Sequence, residues 1–278
     1  MRLPRKGFQV YRDKLKAAGR ITNDYEFVND NPEADLDHLF TYVIDNDILY
    51  LRFSNFQIIG QLMNANNPDK PETLDALAVY CEYLNQLLFN QEIKGVIVDV
   101  RHNTGGYLWD MFTVLGPLLK EDIHVLDTKT KMGIGRLDYG EWIPWTTQVT
   151  TQRQIGELLD YSEPLPETDC IGDRQLVLLV DNWSVSMSEM TAVPVKNLPY
   201  AKVIGQRTYG GLGPLSDNTH TSFSGQFGDS NLKKTSYSVY TSTWLSRTPD
   251  GELLEGKGVT PDIPVALDLE RLTQQHID

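Results

Sequence analysis

Two continuous runs of apolar residues constrain the fold of this chain more than any other feature. Residues 95–100 read GVIVDV and residues 176–180 read LVLLV. Uninterrupted apolar runs of this length are typical of strands that are covered on both faces, as in a parallel sheet. Each run is followed by a polar turn and a helical pattern, and a third strand-like run, KVI, follows at residues 202–204. This order predicts parallel strand–helix units and therefore an α/β fold.

The remaining patterns add antiparallel pieces and helices to this core. Residues 40–44 and 48–53 predict a hairpin, and residues 122–151 predict a hairpin-like insertion that holds Trp142 and Trp145. Apolar residues recur at helical spacing between residues 71 and 91. A weaker helical pattern and a polar run precede residue 38, so we expect residues 1–38 to be a remnant of, or linker from, a preceding domain. Residues 39–278 are expected to form the core domain.

The composition excludes several classes of function. The chain has 278 residues, with 25 basic against 38 acidic ones and a formal net charge of −13. Nucleic acid is not expected as a partner, because phosphate binding needs clustered Lys and Arg. No apolar run approaches the roughly 18 residues that a membrane-spanning helix needs. The two cysteines, Cys81 and Cys170, form no metal-binding spacing, so no metal is expected.

The sharpest local feature is a serine-rich turn, DNWSVSMSE at residues 181–189, between the second apolar run and a helix. A helix amino terminus presents unpaired N–H groups, so a serine held there could attack a carbonyl while those groups stabilise the oxyanion. On this pattern alone, capping of the helix is the simpler explanation of Ser184, Ser186 and Ser188.

A second turn, DVRHNTGG at residues 99–106, follows the first apolar run. Its two glycines allow a backbone to approach a ligand closely and to expose N–H groups, although such turns also use glycine only for its conformational freedom. Adjacent parallel strands would bring this turn and the serine-rich turn to one edge of the sheet. Together they indicate a site for acyl transfer.

At these motifs the sequence resembles the C-terminal processing, or tail-specific, peptidases, whose relatives include the tricorn core and interphotoreceptor retinoid-binding protein. Five segments occur in the family's order: ILYLRFSNF at 48–56, GVIVDVRHNTGG at 95–106, SVSMSE at 184–189, VIGQRTYG at 203–210 and EGKGVTPDIPV at 255–265. Five ordered motifs over most of the chain identify it as a member of this family.

The resemblance implies a crotonase/ClpP-like spiral of βα units and serine-type hydrolysis of protein or peptide substrates. By motif position, Ser186 is the nucleophile, the amide of Met187 is one oxyanion donor, and Gly105 or Gly106 supplies the other. No metal or organic cofactor is implied. Such cores are usually preceded by a PDZ or helical domain, and relatives of this type are typically periplasmic or on the cell surface.

One departure from the family pattern concerns the general base. The processing peptidases carry a lysine in the motif that follows the nucleophile, and this chain has Gly211 at that place. The tricorn-like branch instead uses a histidine from an upstream domain and a late glutamate, for which Glu255 is the best match. Glu255 could equally be a surface charge paired with Lys257. His102 is the only histidine on a predicted site loop, and a structural role is the preferred interpretation.

Two functions therefore remain open from the sequence. The first is a serine endopeptidase core that lacks the usual lysine base. The second is a non-catalytic module that binds peptides or apolar ligands, with Trp142, Trp145 and Trp183 as candidate lining residues. Retention of both the serine turn and the glycine turn favours the enzyme, because a binding module needs neither.

Overall fold

The fold is described over ten stretches of the chain in a computed structural model: residues 5–24, 39–58, 86, 90, 92–147, 173–213, 215–216, 225–227, 237–239 and 241–266. The helix predicted over residues 71–91 falls almost wholly outside these stretches. The elements run in the order α1 (Arg5–Ala17), β1 (Ile21–Asp24), β2 (Leu39–Ile44), β3 (Ile48–Phe53), β4 (Gly95–Asp99), α2 (Leu108–Leu115), β5 (Ile123–Thr130), β6 (Ile143–Thr147), β7 (Gln175–Val180), α3 (Met187–Asn197), β8 (Ala201–Gly205), β9 (Leu215–Ser216), β10 (Gly225–Phe227), β11 (Tyr237–Val239), β12 (Thr241–Ser242), β13 (Trp244–Arg247) and β14 (Ile263–Pro264).

The centre of the molecule is a seven-stranded sheet in the order β1-β2-β3-β4-β7-β8-β14. The five strands from β3 to β14 are parallel to their neighbours, and β1 and β2 add an antiparallel edge. The two apolar runs of the sequence are β4 and β7, which lie side by side. The predicted α/β class, the parallel core and the hairpin that leads into it are confirmed.

Buried side chains cover both faces of the main sheet, and the cluster on one face is much larger than the cluster on the other. The main core takes Val96 and Val98 from β4 together with alternate residues of β7, all buried. On the opposite face, Leu15 of α1 packs with Tyr42 and Tyr50 in a smaller cluster. Burial of apolar surface against both faces explains why these strands read as uninterrupted apolar runs.

A second, three-stranded sheet in the order β13-β5-β6 forms the predicted insertion. Strands β5 and β6 are the antiparallel hairpin expected from the sequence, and β13 adds a third strand from more than 100 residues away. Helix α3 contacts both β5 and β8. The small sheet therefore packs beside the helix that begins directly after Ser186.

The described part of the first 38 residues is attached to this core. Strand β1 pairs antiparallel with β2, and Arg20 forms an ion pair with Asp45 at the β2–β3 turn. Helix α1 ends just before Gly19, which has a φ of 70° that suits glycine. The boundary at residue 38 stays a prediction, although β1 belongs to the main sheet.

Candidate active site

The serine turn and the glycine turn meet at the carboxyl edge of the main sheet. Because β4 and β7 are neighbouring parallel strands, the loops that follow them leave the sheet side by side. The N–H of Val185 and the hydroxyl of Ser188 both donate to the carbonyl oxygen of Asn103, at 3.0 and 2.9 Å. The two loops are thus hydrogen-bonded to each other, as the topology predicts.

Ser186 lies directly before α3 in an unusual backbone conformation. Its φ and ψ are 58° and −115°, in a region that residues with a side chain rarely occupy. Strain of this kind costs on the order of 1–3 kcal/mol and is concentrated at functional sites. The conformation places the serine at the positive end of the helix dipole, where its carbonyl oxygen accepts the first helical bonds from Glu189 and Met190.

Glu189 holds this conformation and was not singled out in the sequence. Its carboxylate is completely buried and accepts four hydrogen bonds. One oxygen, Oε1, accepts from the Thr208 hydroxyl at 2.6 Å and the Gly210 N–H at 2.7 Å. The other, Oε2, accepts from the Gly211 N–H at 2.8 Å and the Ser186 N–H at 3.2 Å. The spacing Ser186-x-x-Glu189 is that of a capping box, which could have drawn attention to it.

The two glycines of the second turn have different hydrogen-bonding roles. The N–H of Gly105 donates to Asn103 Oδ1 at 2.8 Å, so it is already used within the turn. Among the described residues, no acceptor bonds the N–H of Gly106 or that of Met187, the first residue of α3. A Cβ added to Gly105 would lie 2.6 Å from Ser186 Cβ and 3.0 Å from the Met187 nitrogen. The backbone of the glycine turn therefore lies so close to Ser186 that even a methyl group at residue 105 would not fit without a shift.

Asn103 was also missed, and it fixes the glycine turn. It is fully buried, and its amide nitrogen donates to the Phe53 carbonyl at 3.0 Å while its amide oxygen holds Gly105. Its backbone carbonyl binds the serine turn. The side chain thus connects β3 with the glycine turn, because an amide can donate and accept at the same time, and the backbone of the same residue binds the nucleophile loop.

A buried ionic cluster supports the start of the glycine turn. Asp99, at the end of β4, binds Arg101 at 2.6 Å, Arg52 at 3.3 Å and the Tyr50 hydroxyl at 2.5 Å. Burial alone would raise the pKa of Asp99, but the two arginines and the tyrosine lower it overall. Arg52 also donates to the Arg101 carbonyl at 3.0 Å, so the cluster anchors the loop backbone.

The other two serines of the turn have structural roles. Ser184 and Ser188 are both fully buried. The Ser184 hydroxyl donates to the Val100 carbonyl at 2.8 Å and accepts from the Asp181 N–H. These contacts agree with the expectation that the flanking serines cap and pack, which leaves Ser186 as the candidate nucleophile.

Gly211 stands where the motif of the processing peptidases has a lysine, and the Tyr209 ring lies beside it. The Gly211 carbonyl accepts a hydrogen bond from the Ser186 N–H at 3.0 Å, so residue 211 lies next to the nucleophile. A Cβ at this position would point toward the Tyr209 ring, at 3.2 Å, and Val185, at 3.4 Å. No lysine or histidine side chain contacts Ser186 within the stretches that the structure describes.

Glu255 lies close to this loop and is not paired with Lys257. Its Oε2 accepts hydrogen bonds from the N–H groups of Leu212 and Gly213, each at 3.0 Å. Lys257 instead binds Glu252 at 3.2 Å. The surface ion pair considered from the sequence is therefore wrong, and the carboxylate holds the loop that contains Gly211.

His102 faces the carboxylate of Asp181 across the two turns. The ring Nδ1 lies against Asp181 Oδ2, and the His102 N–H donates to Asp181 Oδ1 at 3.0 Å. Burial alone would raise the pKa of Asp181, but these bonds lower it overall. The ring stacks on Trp183. These contacts agree with the preferred structural role of His102.

His124 and Lys196 bind partners away from Ser186. His124 binds Asp127 on β5 at 2.8 Å, and Lys196 donates to the Thr260 carbonyl at 2.7 Å. His38, His220 and His276 lie outside the described residues. Over the stretches described, no group of three His, Cys, Asp or Glu residues could hold a metal ion, and no helix is long and apolar enough to cross a membrane.

The three tryptophans proposed to line an apolar pocket do not share one contact group. Trp145 packs edge-on against Trp244 at 5.4 Å, and Trp142 lies beneath Arg247 at 4.2 Å, both on the small sheet. Trp183 is on the turn before Ser184. Among the contacts of the described residues, none joins Trp183 to Trp142 or Trp145.

Comparison with known proteins identifies related sequences. The family model for "Peptidase family S41" matches residues 47–265. A protein named "Probable CtpA-like serine protease" from Staphylococcus epidermidis is 28% identical over 177 residues, which cover 63% of this chain and 28% of that protein. A protein of the same name from Staphylococcus aureus is 26% identical over 174 residues. The chain thus spans less than a third of these relatives.

Solved structures show the same fold at lower identity. A candidate peptidase from Parabacteroides merdae superposes with a TM-score of 0.60 at 20% identity, covering 94% of this chain and 65% of that one. Mature CPAF in complex with lactacystin gives a TM-score of 0.59 at 14% identity, covering 92% and 54%. A lipoprotein from Streptococcus agalactiae gives 0.51 at 19% identity, covering 86% and 69%.

Proposed function

Because the chain belongs to peptidase family S41, we propose that it is the core of a serine peptidase in which Ser186 attacks the carbonyl carbon of a peptide bond. The observation that carries the proposal is the strained Ser186 at the start of α3, directly beside the Gly105–Gly106 turn. The expected substrates are proteins or peptides. No cofactor takes part in this chemistry.

The hydrogen bonds of the glycine turn indicate which N–H groups are available as oxyanion donors. The N–H of Met187 and that of Gly106 would bind the oxyanion, since the Gly105 N–H is used by Asn103. As the bond from Ser186 Oγ to the carbonyl carbon forms, the hydroxyl proton passes to a base. The tetrahedral intermediate then expels the amine, which takes up a proton, and water hydrolyses the resulting ester.

The base would come from outside the described residues. Gly211 carries no side chain, and no histidine or lysine side chain contacts Ser186 within the described stretches. An upstream helical or PDZ domain, as the tricorn-like branch implies, is one source of the missing group. If the base lies in such a domain, peptide hydrolysis by these 278 residues alone would be slow, even where Ser186 reacts with a strong electrophile.

We assign Glu255 the role of a positioning residue. Both of its hydrogen bonds go to one oxygen, so a glutamine could place its amide oxygen in the same position. Glu255→Gln is expected to keep the rate of fluorophosphonate labelling within about twofold of the native rate. Glu255→Ala should slow labelling by about tenfold, which corresponds to an increase of about 1.4 kcal/mol in the activation free energy. Rates measured by intact-mass spectrometry test this. A charge-based role is indicated if glutamine is as slow as alanine.

The nucleophile is tested directly by the same reagent. Incubation of the native chain with a fluorophosphonate should add one adduct, and Ser186→Ala should remove it, because among the serines that the structure describes this one alone combines a helix amino terminus with free N–H donors. Intact-mass spectrometry and peptide mapping give the number and place of the adduct.

Ser242→Ala is the matched control, because Ser242 is exposed and its hydroxyl, among the described residues, is hydrogen-bonded to the backbone of Trp244. It should label at the native rate. An adduct that persists in Ser186→Ala would contradict the assignment.

A second function would follow if the folded native chain failed to react at all. The glycine at position 211 and the lack of a basic side chain at Ser186 within the described residues favour a non-catalytic module that binds peptides. Such a module should bind a peptide at the same edge with Ser186→Ala unchanged in affinity. An extracytoplasmic location, in the periplasm or at the cell surface, is proposed for either function on the basis of the relatives.

A further inference from the structure

A second surface feature lies away from the candidate active site, at the end of the β5–β6 hairpin. We call residues 131–140, between these strands, the hairpin tip. It exposes three large apolar side chains: Met132 is 70% exposed, Ile134 77% and Leu137 85%. Large apolar side chains gathered at such exposure on one short loop usually mark an interaction surface.

The backbone of the hairpin tip is well ordered by hydrogen bonds. The Met132 N–H donates to the Asp138 carbonyl at 2.7 Å, and the Gly140 N–H donates to the Thr130 carbonyl at 2.9 Å. The Asp138 carboxylate accepts the Gly135 N–H at 2.8 Å and so is engaged within the loop. The apolar side chains are thus presented by a braced turn, and their exposure does not result from a frayed end.

Basic side chains flank the exposed apolar groups. Lys129, Lys131 and Arg136 have no carboxylate within ion-pair distance among the residues described. The only acidic side chains between residues 129 and 142 are Asp138, used as above, and Glu141. In a chain with a net charge of −13, this local excess of cations favours an anionic partner.

Two aromatic rings lie beside these cations, that of Tyr139 within the hairpin tip and that of Trp142 just after it. The Lys129 ammonium lies 4.8 Å from the Trp142 ring centre, and the Lys131 ammonium lies 5.5 Å from that of Tyr139. Exposed apolar side chains gathered with tryptophan or tyrosine and with lysine or arginine are the residue types that bind a membrane interface, where acyl chains, the interfacial layer and headgroup phosphates lie within a short distance of one another.

We propose that the hairpin tip is a docking site for an anionic lipid surface. Met132, Ile134 and Leu137 would enter the boundary between headgroups and acyl chains, and Lys129, Lys131 and Arg136 would bind the phosphates. A single short tip supports reversible association, since stable anchoring takes more than one signal. The peptidase proposal does not enter this argument, and either can fail alone.

The test is co-sedimentation of the 278-residue chain with vesicles. Vesicles that contain phosphatidylglycerol should bind the native chain at least about tenfold more tightly than vesicles of phosphatidylcholine alone, and added salt should weaken the binding. The triple variant Met132→Ser, Ile134→Ser, Leu137→Ser should lose at least about tenfold in affinity, and the double variant Lys131→Glu, Arg136→Glu should lose the preference for anionic lipid.

The matched control replaces exposed apolar residues elsewhere, Leu253→Ser with Ile263→Ser, and should bind as the native chain does. All variants should stay folded with melting temperatures close to the native value, because the altered side chains are exposed or, at Lys131, partly exposed. The proposal is overturned if the native chain binds no vesicle, or if the tip variant binds as well as the native chain. It is also overturned if the tip substitutions leave lipid binding unchanged but dissociate an oligomer in sedimentation velocity, because the occupant would then be a protein.

Discussion

Glu189→Gln is expected to reduce the rate at which Ser186 reacts with a fluorophosphonate by about 100-fold or more, although the side chain changes by only one atom. The Glu189 carboxylate uses both oxygens as acceptors, each for two donors. An amide has one acceptor oxygen. Its NH₂ group would therefore face two donors, either the N–H groups of Ser186 and Gly211 or the Thr208 hydroxyl and the Gly210 N–H.

An NH₂ group in place of an acceptor oxygen affects both the stability of the fold and the position of Ser186. A buried donor left without an acceptor costs about 1–3 kcal/mol, so two such groups should lower the free energy of unfolding by about 3 kcal/mol. The Ser186 N–H would keep only the Gly211 carbonyl, which itself depends on Glu189. A displacement of about 1 Å at a reacting group can cost about 100-fold in rate, and this sets the expected loss of labelling.

Two measurements separate positioning from simple loss of folding. Circular dichroism should show Glu189→Gln still folded at 20 °C or below, where about 3 kcal/mol of destabilisation is tolerated by a typical domain. The labelling rate of the folded protein should nevertheless fall. Glu255→Gln is the matched control, since the same chemical change there leaves a one-oxygen acceptor intact. Equal labelling rates for the two glutamine variants would contradict this role of Glu189.

Gly105→Ala should abolish labelling of Ser186. The added methyl would lie 2.6 Å from Ser186 Cβ and 3.0 Å from both Ser186 Oγ and the Met187 nitrogen. These contacts are with the nucleophile and an oxyanion donor, so relief of the clash requires one of the two to move. We expect no adduct by intact-mass spectrometry under conditions in which the native chain is fully labelled.

The chain offers a control for backbone strain at this position. Gly251 has the same φ of 91° as Gly105, but a Cβ there would meet nothing within 4 Å. Gly251→Ala should therefore lose only the conformational part, about 1 kcal/mol of stability, and label at the native rate. Labelling of Gly105→Ala at the native rate would exclude the glycine turn from the site.

The sequence is sufficient to predict that the serine turn and the glycine turn lie together, but not to predict the residues that hold them in place. The apolar runs of β4 and β7 predict adjacent parallel strands, and this adjacency brings residues 99–106 and 181–189 together. Those predictions depend only on local periodicity and on the handedness and pairing rules of parallel sheets. The closeness of the two turns follows from them, whereas the choice of Ser186, Gly105 and Gly106 within the turns rests on the resemblance to the family's motifs.

The supporting residues could not be predicted because their partners are distant in the chain. Glu189 has the pattern of an ordinary capping-box charge, and its burial depends on a loop 20 residues later. Asn103 reads as a turn residue, and its contact with Phe53 depends on β3 pairing with β4. Met132 and Ile134 of the hairpin tip alternate with glycine as the apolar residues of a half-buried strand alternate with polar ones, so only the structure shows that they face solvent.

The hydrogen bonds that assemble the site also determine when it can exist during folding. The contact between Val185 and Asn103 closes a loop of 82 residues, and that between Val259 and Thr208 closes another of 51. Contacts of such long sequence separation form late and slowly, because loop closure entropy opposes them until the parallel strands have paired. A reactive Ser186 would consequently report completion of the whole sheet, which makes its labelling a late marker on the folding pathway.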